Sequence, residues 1–135
     1  MTSRHPVTTW WDEIARVLRP GGHYLSQQVG PYSLRDLSDY LMGPLPGGSA
    51  RNPDGAVAAA ERAGLVVTAL QTERPRTEFY DIGAVVYFLR LVVWIVPDFS
   101  VARYRDRLRT LHEQIVRDGA FATTASRFLI EAMKP

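Results

Sequence analysis

Cysteine is absent from all 135 residues of the chain. That excludes a disulfide framework, a thiolate nucleophile and any zinc site built on sulfur. Histidine is scarce as well: His5, His23 and His112 lie far apart and show no metal-ligand spacing, so no metal is expected. Neither sign of charge dominates, since 16 basic against 14 acidic residues leave a formal +2. The arginines are scattered along helical faces rather than gathered in a block, which argues against a nucleic-acid partner. A long hydrophobic run is missing too. From Ile82 to Val96 the only charge is Arg90, yet the stretch falls short of the ~20 apolar residues a spanning helix needs. Met1-Thr2-Ser3-Arg4-His5-Pro6 has no apolar core and does not read as a signal peptide, which makes the cytoplasm the expected compartment. There is no Gly-x-Ser-x-Gly elbow and no phosphate-cradling loop; Gly21-Gly22 and Gly47-Gly48 read as a helix stop and a linker.

What is present is hydrophobic patterning, with 46% apolar residues in a length suited to one domain. Ile14, Val17 and Leu18 recur at helical spacing in a helix from about Thr9 to Leu18, with Thr9 as N-cap and Asp12 completing a capping box. Pro20 stops that helix, a glycine at 21 or 22 turns the chain, and Tyr24 to Val29 runs extended up to Gly30-Pro31. Ser33 and Asp36 suggest another helix start, with Leu34, Leu37 and Leu41 on one face. Gly43 to Arg51 reads as a loop, the most mobile segment by composition. Asn52-Pro53 opens an alanine-rich helix that ends at Gly64. A strand from Leu65 to Leu70 follows and stays extended to Arg76.

Asp81 caps an apolar helix whose face would hold Ile82, Val85, Val86, Leu89 and Val93. A second amphipathic helix, from Ser100 to Gly119, carries Val101, Tyr104, Leu108, Leu111 and Ile115 inward. Ser126 to Met133 alternates as a last strand. The string α-β-α-α-β-α-α-β implies a layered α/β sheet.

Three junctions in this order carry a resemblance. Arg16-Val17-Leu18-Arg19-Pro20-Gly21-Gly22 looks like the turn before the fifth strand of class I S-adenosylmethionine-dependent methyltransferases. Ala58-Ala59-Ala60-Glu61-Arg62-Ala63-Gly64-Leu65 resembles that fold's junction into the sixth strand. Phe128-Leu129-Ile130-Glu131-Ala132-Met133-Lys134-Pro135 resembles its seventh, which lies antiparallel between five and six. The resemblance implies a partial Rossmann-like methyltransferase sheet, with strands five, seven and six and flanking helices. Residues 1–135 would be a single partial domain, the C-terminal portion, with residues 1–7 as the end of the fourth strand and its loop. The family's glycine-rich cofactor loop and its ribose-binding acidic residue have no counterpart in the sequence. Binding of S-adenosylmethionine by this chain is therefore expected to be weak or absent.

The activity implied is methyl transfer to a small-molecule acceptor. The loop after the fourth strand faces the transfer centre in the resembled fold. His5 is thereby the candidate general base, and Arg4, Pro6 and Trp11 are candidate cofactor contacts. The competing reading of His5 is a plain surface histidine. Trp10 and Trp11 point about 100° apart on a helix, so one is expected in the core and the other at a pocket or interface. Gln28, Gly30 and Tyr32, at the end of the fifth strand, are candidate substrate contacts, as are Tyr80 and Trp94 in the apolar segment. Core packing is the preferred account of the aromatic positions in the helices, a cap that of Asp81, and a strand terminus suffices for Gly30-Pro31. A fifth strand without charges leaves a sheet edge open, which suggests a homodimer or a missing N-terminal partner segment. The alternative from another class is a non-catalytic binding or assembly module that docks through the apolar segment 79–96.

Overall fold

The computed structural model describes residues 1–44 and 51–135. The expected loop at 43–51 falls, for 45–50, outside the described residues. Internal contacts divide the chain into two compact units. The described part of the first comprises residues 1–33, 51–74 and 126–135; that of the second comprises 34–44 and 75–125.

The first unit is a sheet with helices on one face. It contains β1 (Thr2–Arg4), α1 (Trp11–Val17), β2 (His23–Val29), α3 (Pro53–Arg62), β3 (Val66–Glu73) and β6 (Arg127–Met133). The strand order is β1-β2-β6-β3. β1 lies parallel to β2, with Thr2 opposite Leu25, while β6 runs antiparallel to both β2 and β3. The last strand thus sits between its two predecessors, in the arrangement the resemblance implies. β2 is not the bare edge expected from its sequence, because the short β1 pairs with Leu25, Ser26 and Gln27.

Alternation sets which face each strand buries. Tyr24 and Ser26 of β2 and Phe128, Ile130 and Ala132 of β6 are buried beneath α1 and α3 with Trp11, Ile14, Leu18, Ala60 and Leu65. Trp11 meets Tyr24 edge-on, ring centroids 5.6 Å apart. Gly21, at φ 73, makes the left-handed turn after α1, as its sequence suggests.

The second unit contains α2 (Arg35–Met42), β4 (Arg76–Phe79), α4 (Ile82–Leu91), α5 (Arg105–Asp118) and β5 (Phe121–Thr124). β4 and β5 form a two-stranded antiparallel sheet that the sequence reading lacked. Its core gathers Leu37, Leu41, Phe79, Val85, Leu89, Leu108, Leu111 and Ile115.

Asn52 and Asp81 cap as expected, their side chains accepting from the backbone N–H groups of Asp54 (3.0 Å) and Ala84 (2.8 Å). Two other expected caps differ. α1 begins after Trp10, with no side-chain cap, so Thr9 does not serve as one. α2 begins after Leu34 in a left-handed conformation, φ 56. Ser33 Oγ instead accepts from the Ser126 N–H at 3.0 Å, and Asp36 accepts from the Thr123 hydroxyl at 2.9 Å. α5 starts at Arg105, later than Ser100, whose hydroxyl accepts from the Arg103 N–H in the preceding turn. Val93 lies past the end of α4 and is exposed rather than on its core face.

Candidate functional site

β1, β2 and β3 share one direction, and the connecting helices run back against them. The N-termini of α1 and α3 are therefore carried to the carboxyl ends of β1 and β2. A cleft of about 370 Å³ opens there. Pro6 and Val7 enter it from the segment after β1, and Gln28 and Val29 from the end of β2. Thr9 and Trp11 come from the start of α1, and Arg51, Asn52, Gly55 and Ala56 from the start of α3. Open parallel α/β sheets bind ligands at this end because helix N-termini and strand ends converge on it.

A buried polar chain supports the floor. The Tyr24 hydroxyl and Ser3 Oγ lie 2.6 Å apart, Ser3 Oγ and Ser26 Oγ 2.8 Å, and the Gln28 amide reaches Ser26 Oγ at 3.3 Å. Ser26 is fully buried, so these partners satisfy a hydroxyl that would otherwise be costly.

Of the residues singled out in the sequence, Pro6, Trp11 and Gln28 meet in this cleft. Trp11 is also core, whereas Trp10 is 70% exposed. His5 stands next to the cleft residues in sequence, held by its N–H to the Gln27 carbonyl at 2.8 Å. Its backbone is left-handed (φ 50), and its Nδ1 is buried without a hydrogen-bond partner. Burial, followed by the charges of Arg127, Arg4 and Arg51, holds its pKa below the ordinary imidazole value. His5 is therefore neutral at neutral pH, the protonation state a base requires.

Gly30 is not a wall of the cleft. It is buried against β6, where a Cβ would stand 2.4 Å from Ser126 Oγ, so close backbone approach explains the glycine. Tyr32 has a left-handed backbone (φ 56) and is partly exposed. Tyr80 and Trp94 belong to the second unit. The Tyr80 hydroxyl donates to Glu78 Oε2 at 3.0 Å, an interaction that raises the phenol pKa, while Arg76 and Tyr80 lower that of Glu78.

Sequence reasoning missed Arg51, Asn52 and Gly55 as cleft residues. The signal was available in the Asn52-Pro53 helix start, because a helix between parallel strands must begin at their carboxyl ends. Among the described residues no group of three or more His, Asp or Glu is placed to hold a metal ion.

No family model and no curated protein matches the sequence. Solved structures do. A putative methyltransferase from Bacillus halodurans C-125 superposes over 99% of this chain and 68% of its own, with a TM-score of 0.59 at 14% identity. Together with the β1-β2-β6-β3 order, that match decides the architecture. The fold is that of the Rossmann-like methyltransferases. A putative sarcosine dimethylglycine methyltransferase from Galdieria sulphuraria matches over 98% of this chain and 51% of its own, at a TM-score of 0.47 and 14% identity. Phosphoethanolamine N-methyltransferase 2 of Haemonchus contortus, solved with S-adenosylhomocysteine, matches over 99% and 33%, at 0.43 and 14%. The chain thus spans from 33% to 68% of these solved proteins' lengths. In methyltransferase terms, β1, β2, β6 and β3 correspond to strands four, five, seven and six.

Proposed function

We propose that this chain is part of an S-adenosylmethionine-dependent methyltransferase acting on a small molecule, with residues 1–135 as a portion of one such domain. The observation that carries the reading is β6 lying antiparallel between β2 and β3, with the cleft at the carboxyl ends of the parallel strands. The residues of the cleft do not fit the cofactor as a whole. A sulfonium, an ammonium and a ribose diol call for carboxylates, and among the described residues the cleft wall holds Arg51 and no Asp or Glu. The cleft is accordingly assigned to the methyl acceptor, and no step of the transfer is assigned to the cofactor's own contacts.

On this reading Pro6, Trp11 and Gln28 shape the acceptor pocket, and Ser26 steadies the Gln28 amide. His5 is available as a base in its neutral form, Arg4 flanks the loop, and Gly30 and Tyr32 end the supporting strand. Orientation and exclusion of water are what the protein contributes to an in-line displacement.

Self-association through the sheet is part of the proposal. The open face of the first unit's sheet exposes Leu25 and Val66. No helix of the described residues is long and apolar enough to cross a membrane.

A nuclear magnetic resonance titration with S-adenosylhomocysteine tests the reading. Weak shifts, or none, are expected at millimolar ligand, because the cleft's residues do not match the cofactor. Tight one-to-one binding would overturn the assignment of the cleft to the acceptor. A second reading is a non-catalytic docking module. That reading draws on the exposed Tyr80, Tyr87, Leu91, Val93 and Trp94 within residues 79–96.

A further inference from the structure

We infer that Gln28 selects the molecule bound in the cleft: anchored through its amide nitrogen, it turns its carbonyl oxygen to the cleft and accepts a hydrogen bond from a hydroxyl or amine of that molecule. The inference deepens the reading above and rests on it in taking that molecule for the methyl acceptor. What it adds is a class of acceptor, an oxygen or nitrogen nucleophile that still carries its hydrogen.

Period-two alternation puts Tyr24, Ser26 and Gln28 in one row on the face of β2 that α1 and α3 cover. Ser3, opposite Ser26 in the pairing of β1 with β2, joins the row from the side. The row runs outward from the core. Tyr24 and Ser26 are buried, and Gln28, near the carboxyl end, is half-buried in the cleft wall. The Tyr24 hydroxyl lies 2.6 Å from Ser3 Oγ, Ser3 Oγ lies 2.8 Å from Ser26 Oγ, and Gln28 Nε2 donates to Ser26 Oγ at 3.3 Å.

A glutamine side chain in water is free to present either end of its amide. Here the nitrogen is drawn inward to a buried hydroxyl, and in a planar amide that turns the oxygen the other way. Among the described residues Gln28 Oε1 accepts no hydrogen bond, and it is not buried, because His5 Nδ1 is the one buried side-chain polar atom there without a partner. Phe128 stands opposite Gln28 in the pairing with β6 and lines the same cleft, together with Trp11, Val29 and Ala56. Beside such apolar walls a site that hydrogen-bonds a hydroxyl or amine discriminates against the analogue that lacks the hydrogen. The O-methylated or fully N-methylated form of the molecule is such an analogue. The same contact therefore favours the acceptor over its methylated product.

The test measures binding of phenol and anisole, and of aniline and N,N-dimethylaniline, to the whole chain through the Trp11 indole and Gln28 side-chain amide signals in magnetic resonance spectra. Each pair differs in the hydrogen that Gln28 accepts. Gln28→Met keeps the length of the side chain and removes the amide. In that variant the preference for phenol over anisole, for aniline over N,N-dimethylaniline, or both should fall about fivefold, the worth of one neutral hydrogen bond. A fall in the phenol pair alone assigns an oxygen nucleophile, and a fall in the aniline pair alone a nitrogen nucleophile. Ser26→Ala should move the Gln28 amide signals towards those of a solvated glutamine and lower the same preference. An unchanged preference for both pairs in Gln28→Met overturns the inference, and so does one that rises, since the amide would then show its N–H to the cleft. A parent protein whose signals no probe moves overturns it too, as does a folded Ser26→Ala with the parent's Gln28 signals. The Gln28→Met comparison stands without Ser26→Ala should that variant fail to fold. Tight one-to-one binding of S-adenosylhomocysteine with the preference intact removes the acceptor reading and keeps the Gln28 contact. Weak or no binding of it with no preference between the probes removes the Gln28 contact alone.

Discussion

His5 combines a left-handed backbone (φ 50), a buried ring nitrogen with no partner, and three neighbouring guanidinium groups. Burial of the ring, then the guanidinium charges, oppose protonation in the folded state, and the sign of the pH effect follows. The imidazole in the unfolded chain takes up its proton as pH falls below about 6.5, while the folded chain resists it, so the unfolded state binds more protons in that range. Stability should therefore fall on acidification from neutral pH. Asparagine is the replacement that best tolerates a left-handed backbone. His5→Asn should lose less stability than the parent between neutral pH and about pH 5. Denaturant unfolding at the two pH values measures the difference, and an identical loss in both proteins would count against burial and the arginines as the cause. None of this was legible in Arg4-His5-Pro6. The sequence offers a base candidate and favours a surface histidine over it, because the positive φ and the approach of Arg51 and Arg127 arise only once distant segments pack.

At the scale of elements, caps that act within two or three residues were readable and those recruited from afar were not. Asn52 and Asp81 reach N–H groups just ahead of them in sequence. Ser33 has the same chemistry, but its hydroxyl is taken by the Ser126 backbone 93 positions away. The β4–β5 pair was missed for a related reason. Four-residue strands with Phe79 opposite Phe121 give no periodicity long enough to register. α4 provides the measurable case. Asp81 sits at an extended backbone position (φ −152) and accepts from the Ala84 N–H at 2.8 Å, beside a helix that buries Val85 and Leu89 completely. Asp81→Ala should destabilise the protein by about 1 kcal/mol, and Asp81→Ser by only a fraction of that. The unfolding midpoint of the two variants checks it; equal losses would mean that the carboxylate acts by charge rather than as an acceptor.

For the molecule as a whole, strand order was the most legible property, since the helix–glycine–strand junctions at 16–25 and 58–65 and the alternation at 126–133 are local signals that fix direction and sequence together. The edge was less legible: three residues of β1 cover β2, and Thr2-Ser3-Arg4 has no periodicity of its own, so only the resemblance, which takes residues 1–7 as the end of a fourth strand, points to it. The openness has moved rather than closed. Leu25 N–H donates to the Met1 carbonyl and His5 N–H to the Gln27 carbonyl. Backbone groups alternate sides along a parallel strand, so those of Thr2 and Arg4 turn away from β2. On the far side, β3 carries an irregularity between Val67 and Ala69 that hinders pairing. The uncovered sheet face adds apolar area, with Leu25 39% exposed and Val66 48%. An open strand edge beside apolar surface is a template for a second copy, and a closed two-fold pair is the simplest way to cover both. The chain should sediment as a dimer that dissociates on dilution. Leu25→Lys, which places a charge on that face without touching the buried side of β2, should shift the equilibrium towards monomer at the same concentration. Thr2→Pro removes an outward N–H and should do the same. A parent protein that sediments as a monomer at every concentration, or variants that dimerise undiminished, would rule out the sheet as the contact.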